Sequence, residues 1–135
     1  MHSTNLNTQI QRFPKGFAKV RLLLAREHAH PQGSQQHGYD LVLPLDNLGR
    51  IDDGLWRAHH DLCRVVHYRA DEEHDVGHLI RRPAGQWAFH YDIKGDEDDA
   101  SGYHFSDEHF IVGEYVSIVE EDGSHTYRVV TVDWL

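Results

Sequence analysis

Apolar side chains recur at every second position over most of this chain, and that period belongs to strands half-buried against a core. Val20, Leu22 and Leu24 share one face of Lys19 to Arg26. Tyr39, Leu41, Leu43 and Leu45 share one face of Tyr39 to Asp46, and Pro44 on the other face lacks an N–H, so this strand lies at an edge or ends there. Cys63 to Arg69, Val76 to Arg82 and Gln86 to Asp92 read as three more strands, the last carrying Trp87, Phe89 and Tyr91 on one side. Tyr103 to Phe105 and Phe110 to Val112 read as short strands. The strongest local signal is at the C-terminus. Tyr115 to Glu120 and His125 to Val132 flank Asp122-Gly123, which predicts a two-residue hairpin with Glu120 opposite His125, Ile118 opposite Tyr127 and Val116 opposite Val129.

One segment breaks the pattern. Ile51, Leu55, Ala58 and Leu62 fall at helical spacing, and Asp52 ahead of them is suited to cap the first turn, so residues 52–62 are expected to be helical. Glu27 to Gly38 and Lys94 to Gly102 read as loops. Residues 1–16 are polar and aperiodic and are expected to form a flexible tail, leaving 17–135 as one mainly-β domain. Many short strands with one helix imply a small antiparallel barrel or strongly curved sheet, SH3-like as a first expectation, with an open α+β antiparallel sheet as the alternative.

Charge and cysteine content narrow the classes of function. Asp plus Glu number 22 against 13 Lys plus Arg, a net charge of −9. Phosphate backbones repel such a chain, so nucleic-acid binding is not expected. Cys63 is the single cysteine, which precludes an intramolecular disulfide and fits a reducing compartment. No leader-like N-terminus or apolar run long enough to span a bilayer is visible, so the expected location is cytoplasmic, away from any membrane.

Histidine is the compositional outlier, at 13 of 135 residues. Imidazoles and carboxylates together suit divalent transition metals. His74 and His78, four apart in an acidic stretch, are the expected ligands, with His67 as a third and His90, His104 and His109 as further donors. Gly77 and the strand that follows argue against the helical version of that spacing. A solvated acidic turn explains the same residues without a metal. His28 with His30 reads as surface, His59 and His60 diverge on the helix, and His104 with His109 suits turn or capping roles. Cys63 lies near a helix C-terminus, where the dipole disfavours a thiolate, so packing is the expected role over catalysis. Asp96-Glu97-Asp98-Asp99 does not fit the calcium-loop spacing and reads as a solvated loop.

His37-Gly38-Tyr39, Pro44-Leu45-Asp46, Val76-Gly77-His78-Leu79, Trp87-Ala88-Phe89 and Gly113 to Ile118 together resemble a group of small uncharacterised bacterial proteins. The resemblance spans most of the chain beyond residue 17 and brings no activity, ligand or residue role. Three functional expectations follow from the residues themselves. The first is a non-catalytic binding or interaction module for a protein or small-molecule partner, with Trp56, Trp87, Tyr91, Tyr103 and Trp134 as its aromatic supply. The second is a histidine-ligated, metal-dependent protein or enzyme. The third is a response to pH through the histidines.

Overall fold

A computed structural model describes residues 12–27, 30–83, 85–92, 104–105 and 108–135. Eight strands follow one another around a closed antiparallel barrel: β1 (Phe17–Leu24), β2 (Ser34–Pro44), β3 (Arg64–Tyr68), β4 (Asp75–Arg81), β5 (Trp87–Tyr91), β6 (His104–Phe105), β7 (Tyr115–Glu120) and β8 (Gly123–Trp134). β1 pairs with both β2 and β8, which closes the ring. The expected mainly-β barrel with one helix is what forms, with a larger strand meander than an SH3-like barrel. The step from β5 to β7 runs through the two-residue β6, which contributes a single pairing, His104 with Val119, to β7. No helix among the described residues is long and apolar enough to cross a membrane.

The alternation in the sequence becomes the inside and outside of the barrel. Val20 and Leu22 of β1, Leu41 and Leu43 of β2, Val65 of β3, Leu79 of β4, Phe89 of β5, Ile118 of β7 and Val129 of β8 all point inward and are buried. An eight-stranded barrel is about narrow enough for side chains to fill it, and here Tyr39, Tyr127, Phe17 and Phe89 are the largest fillers. Each such burial contributes roughly 1.5–3 kcal/mol. Register shifts at Arg21/Leu22 and Leu23/Leu24 bend β1 where it meets β8 and β2, as bulges do in tightly closing sheets.

The helix closes one end of the barrel. α1 (Asp53–His59) runs into a 3₁₀ turn (His60–Leu62), and Asp52 accepts from the Leu55 N–H at 3.0 Å, the capping role expected of it. Its packing face differs from the expected one: Leu55, Trp56 and Leu62 lean on the core while Ala58 is exposed. The tightening into 3₁₀ at His60 moves the face off simple helical spacing. Trp56 donates its indole N–H to the Leu79 carbonyl at 3.0 Å and meets Trp87 edge-on.

Three other details depart from the sequence reading. β2 starts at Ser34, inside the stretch expected to be a loop, because the shift at Leu23/Leu24 lets Leu24 pair with Ser34. Residues 110–112 are not a strand. The C-terminal hairpin is slipped by two residues: Glu120 pairs with Gly123, Ile118 with His125 and Val116 with Tyr127. Glu121 and Asp122 therefore form the turn, and Gly123 takes the positive φ (127°), so Asp122 need not. A two-residue slip keeps every side chain on its expected face. Most of the expected tail, residues 1–11, lies outside the described residues, as does the loop at 96–99. Phe13 packs on the core, and the Gly16 carbonyl accepts from the Leu45 N–H at 2.8 Å.

Gly77 marks the tightest approach between β4 and β5: a Cβ there would sit 2.0 Å from the His90 carbonyl oxygen. Backbone cannot yield as a flexible side chain does. Gly77→Ala is expected to cost about 3 kcal/mol, at the upper end of overpacking penalties, read as a lowered midpoint in urea denaturation. An unchanged midpoint would contradict this packing.

Candidate functional site

The barrel end opposite α1 is built from polar side chains. β1, β3, β5 and β7 end there, and β2, β4 and β8 begin there. Continuing the inward alternation one step past the apolar core brings His37 and Tyr39 of β2, His67 of β3, Glu120 of β7, and His125 and Tyr127 of β8 together. Glu120 and His67 are the buried polar residues among those described. An ionised carboxylate is held at such a depth only by strong donors.

Those donors are present. Tyr39 donates its hydroxyl proton to Glu120 Oε2 at 2.7 Å, and Tyr127 donates to the same oxygen. Tyr127 has one proton, so the contact between its oxygen and His37 Nε2 at 3.2 Å requires the imidazole N–H to donate. Arg69, which can only donate, lies 3.0 Å from His67 Nδ1. His67 is therefore neutral with its proton on Nε2, the atom that faces Glu120 Oε2 at 3.9 Å. The His67 ring stacks on Tyr39, centroids 4.2 Å apart and planes within 6°. Glu120 thus accepts hydroxyl hydrogen bonds from β2 and β8, with the His67 N–H of β3 facing it at 3.9 Å.

A second charge centre adjoins this carboxylate. His125 Nδ1 lies 3.0 Å from both carboxylate oxygens of Glu27, and Nε2 lies 2.7 Å from Asp122 Oδ1 and 3.9 Å from Glu120 Oε1. With acceptors at both nitrogens, the ring is set up to be an imidazolium. It ties the segment after β1 to the β7–β8 turn.

The pKa values follow this geometry. Burial pushes the Glu120 carboxyl above its ordinary value, against the two tyrosine hydroxyls, which hold it down. Burial also raises the Tyr39 and Tyr127 phenols, and the neighbouring Glu120 adds to both. Burial lowers His37, helped by the Arg69 charge. Burial works against the charge on His125, but the bonds to Asp122 and Glu27 outweigh it and the net shift is upward.

The expected metal residues are placed apart. His67 is inside the barrel. His78 points outward from β4, between Arg64 and Asp92, 3.3 Å and 3.2 Å from its Nδ1. His74 is exposed ahead of β4, its ring beside Tyr68. Leu79 and Gly77 take the inward positions on β4, so strand alternation puts His78 on the opposite face from His67. His37, His67 and Glu120 instead offer ligand atoms within 4.8 Å of one another. Both Nε2 atoms already carry protons, and Arg69 donates to the nitrogen where a metal-bound histidine needs an acceptor. Cys63 is buried, with its thiol pushed up to about 12 by burial and by Asp61, which suits packing. His109 bridges turns, meeting the Leu48 carbonyl at 2.9 Å.

A groove runs across the outer surface. Its volume is about 640 Å³, and it is lined by Leu23 and Leu24 of β1 with Ala25 and Arg26 after them, Gln32 and Gly33 leading into Ser34 and Gln35 of β2, Thr126, Arg128 and Val130 of β8, and Tyr115 of β7. Tyr115 is 61% exposed. Of the aromatic residues expected to supply a binding surface, Trp87 and Tyr91 are buried, Trp56 is half-buried, Trp134 is exposed, and Tyr103 lies outside the described residues. Comparison with protein-family models, curated proteins and solved structures finds no match to this chain.

His125 gives a pH dependence with a definite sign. Its folded pKa is raised above the ordinary 6.5, so its stabilisation is complete below about pH 6.5 and is lost as pH rises through the folded value. His37, whose pKa is lowered, acts below pH 6.5 and is silent above it. The melting temperature is expected to fall as pH rises above about 6.5, and His125→Gln is expected to flatten that slope. Equal slopes in both proteins would show that His125 carries no such charge.

Proposed function

We propose that the chain is a non-catalytic binding module whose ligand site is the outer groove rather than the barrel interior. One observation carries this reading: a groove of about 640 Å³ with an exposed tyrosine at one side. That volume falls within the roughly 300–1,000 Å³ of small-molecule sites. The interior is filled by Tyr39, Tyr127, Phe89 and the aliphatic side chains, which favours an external site. Leu23, Val130 and Tyr115 offer an apolar surface, and Gln32, Ser34 and Gln35 offer amide and hydroxyl groups to orient a ligand. The acidic, mostly polar chain and a cytoplasmic location suit a soluble partner of this kind.

Phenylbutyrate, a flexible chain with one ring, is a suitable probe. A ligand of its size at ordinary efficiency binds at about millimolar concentration. In isotope-labelled protein it is expected to shift the backbone amides of Leu23, Thr126, Arg128 and Val130, and Thr126→Trp, which adds bulk among the lining residues, is expected to abolish those shifts. No shift at these amides in the parent protein, or shifts that survive Thr126→Trp, would contradict the reading.

A metal-holding function is favoured by one specific observation, the convergence of His37, His67 and Glu120 within 4.8 Å. It requires Arg69 to leave His67 Nδ1. Arg69→Ala is therefore expected to bind zinc at pH 7 more tightly than the parent, measured by calorimetry. Stoichiometric zinc held by the parent protein through dialysis would make the metal reading the better one.

A further inference from the structure

The groove differs in charge from the rest of the molecule. Acidic residues number 22 against 13 basic ones in the whole chain, yet none of the described lining residues is acidic and two are arginines, Arg26 and Arg128. Arg21, Arg57, Arg64, Arg69 and Arg81 each hold a carboxylate. Arg26 and Arg128 have no acidic partner among the described residues and are exposed. The carboxylate nearest in sequence to Arg26 is Glu27, and it is turned to His125, 3.0 Å from that ring. Glu27 is thus engaged at the barrel end and is not among the residues that line the groove.

Polarity is also divided along the groove. Register places Arg128 between Leu23 on β1 and Tyr115 on β7. On the same outer face of β8, Val130 lies two residues to one side, toward the α1 end. Toward the other side the Ala25 N–H bonds to the Thr126 carbonyl, and Arg26 with Gln32 to Gln35 follows. At about 3.3 Å per residue, Arg26 is roughly 10 Å along the strand direction from Arg128. One part of the groove is therefore apolar and aromatic, the other cationic and amide-lined, with Arg128 at their junction.

We infer that the groove takes a small organic anion, with an apolar or aromatic body lying on Leu23, Val130 and Tyr115 and a carboxylate, sulfonate or phosphate head at Arg128 and Arg26. This rests on the reading of the groove as the ligand site. Guanidinium groups suit such heads because their forked donors match paired oxygens. Both arginines are exposed, so each contact is weakened by solvent, and selectivity comes from the pair.

Phenylbutyrate and phenylbutanol share ring and chain and differ in charge, so they separate the two claims. Titrated into isotope-labelled protein at pH 7, the anion is expected to shift the groove amides with an affinity about tenfold above that of the alcohol. The Arg26→Gln/Arg128→Gln variant is expected to erase that preference, so that acid and alcohol bind it with equal affinity. Equal affinities in the parent protein would overturn the anion inference and leave the groove reading standing. A preference that survives in the double variant would overturn it as well. No shift of the groove amides by either compound would overturn both.

Discussion

A carboxylate at the end of a β-barrel core must be solvated by the protein itself, and Glu120 is. The hydroxyls of Tyr39 and Tyr127 both donate to one of its oxygens. Since β2 and β8 both neighbour β1, these bonds join three different strands of the ring, β2, β7 and β8, through one side chain. A hydrogen bond to a charged group contributes about 1.5–3 kcal/mol where removing the donor strands the acceptor. The stacking of Tyr39 on His67 and the donation from Arg69 extend the same arrangement to β3. Without a carboxylate at position 120 the two tyrosines would have buried hydroxyls facing each other, so the aromatic core and the acid depend on one another.

The two ends of the barrel are thereby closed by different physics. At one end a short helix lays Leu55 and Trp56 on the core, which is burial of apolar area. At the other, proton donors surround a carboxylate and an imidazolium spans Glu27 and Asp122. The second arrangement has a consequence outside the barrel. With Glu27 held at His125, the next residue back, Arg26, lines the groove along with Arg128, on a chain of net charge −9. Interior electrostatics and the character of the outer surface are linked through two adjacent residues of one segment.

Most of the fold was legible in the sequence because it is encoded by a period of two. Val20/Leu22/Leu24, Tyr39/Leu41/Leu43 and Trp87/Phe89/Tyr91 mark inner faces directly, and the Asp52 cap is where local chemistry requires it. The hairpin register is ambiguous by two residues in the sequence because Asp122-Gly123 satisfies two turn geometries, and a glycine can serve just after a turn as well as in it. The polar cluster was harder to see. His37, Glu120 and His125 lie on the same inner faces as Tyr39, Ile118 and Tyr127, and extending the alternation outward by one step would have gathered them. His74 and His78 are close in the chain, yet a spacing of four leading into a strand leaves the neighbours on the next strand unspecified. The groove leaves no sequence signal, since four strands contribute to it and none of its residues forms a motif.

The double-mutant cycle between Tyr39→Phe and Glu120→Gln tests the central claim most directly, with stability read from urea denaturation of the parent, both single variants and the double variant. If the buried carboxylate and the tyrosine hydroxyl hold each other in place, the two changes are coupled by about 1.5–3 kcal/mol. If they add to within about 0.5 kcal/mol, the hydroxyl and the carboxylate act independently and the barrel end is held by packing alone.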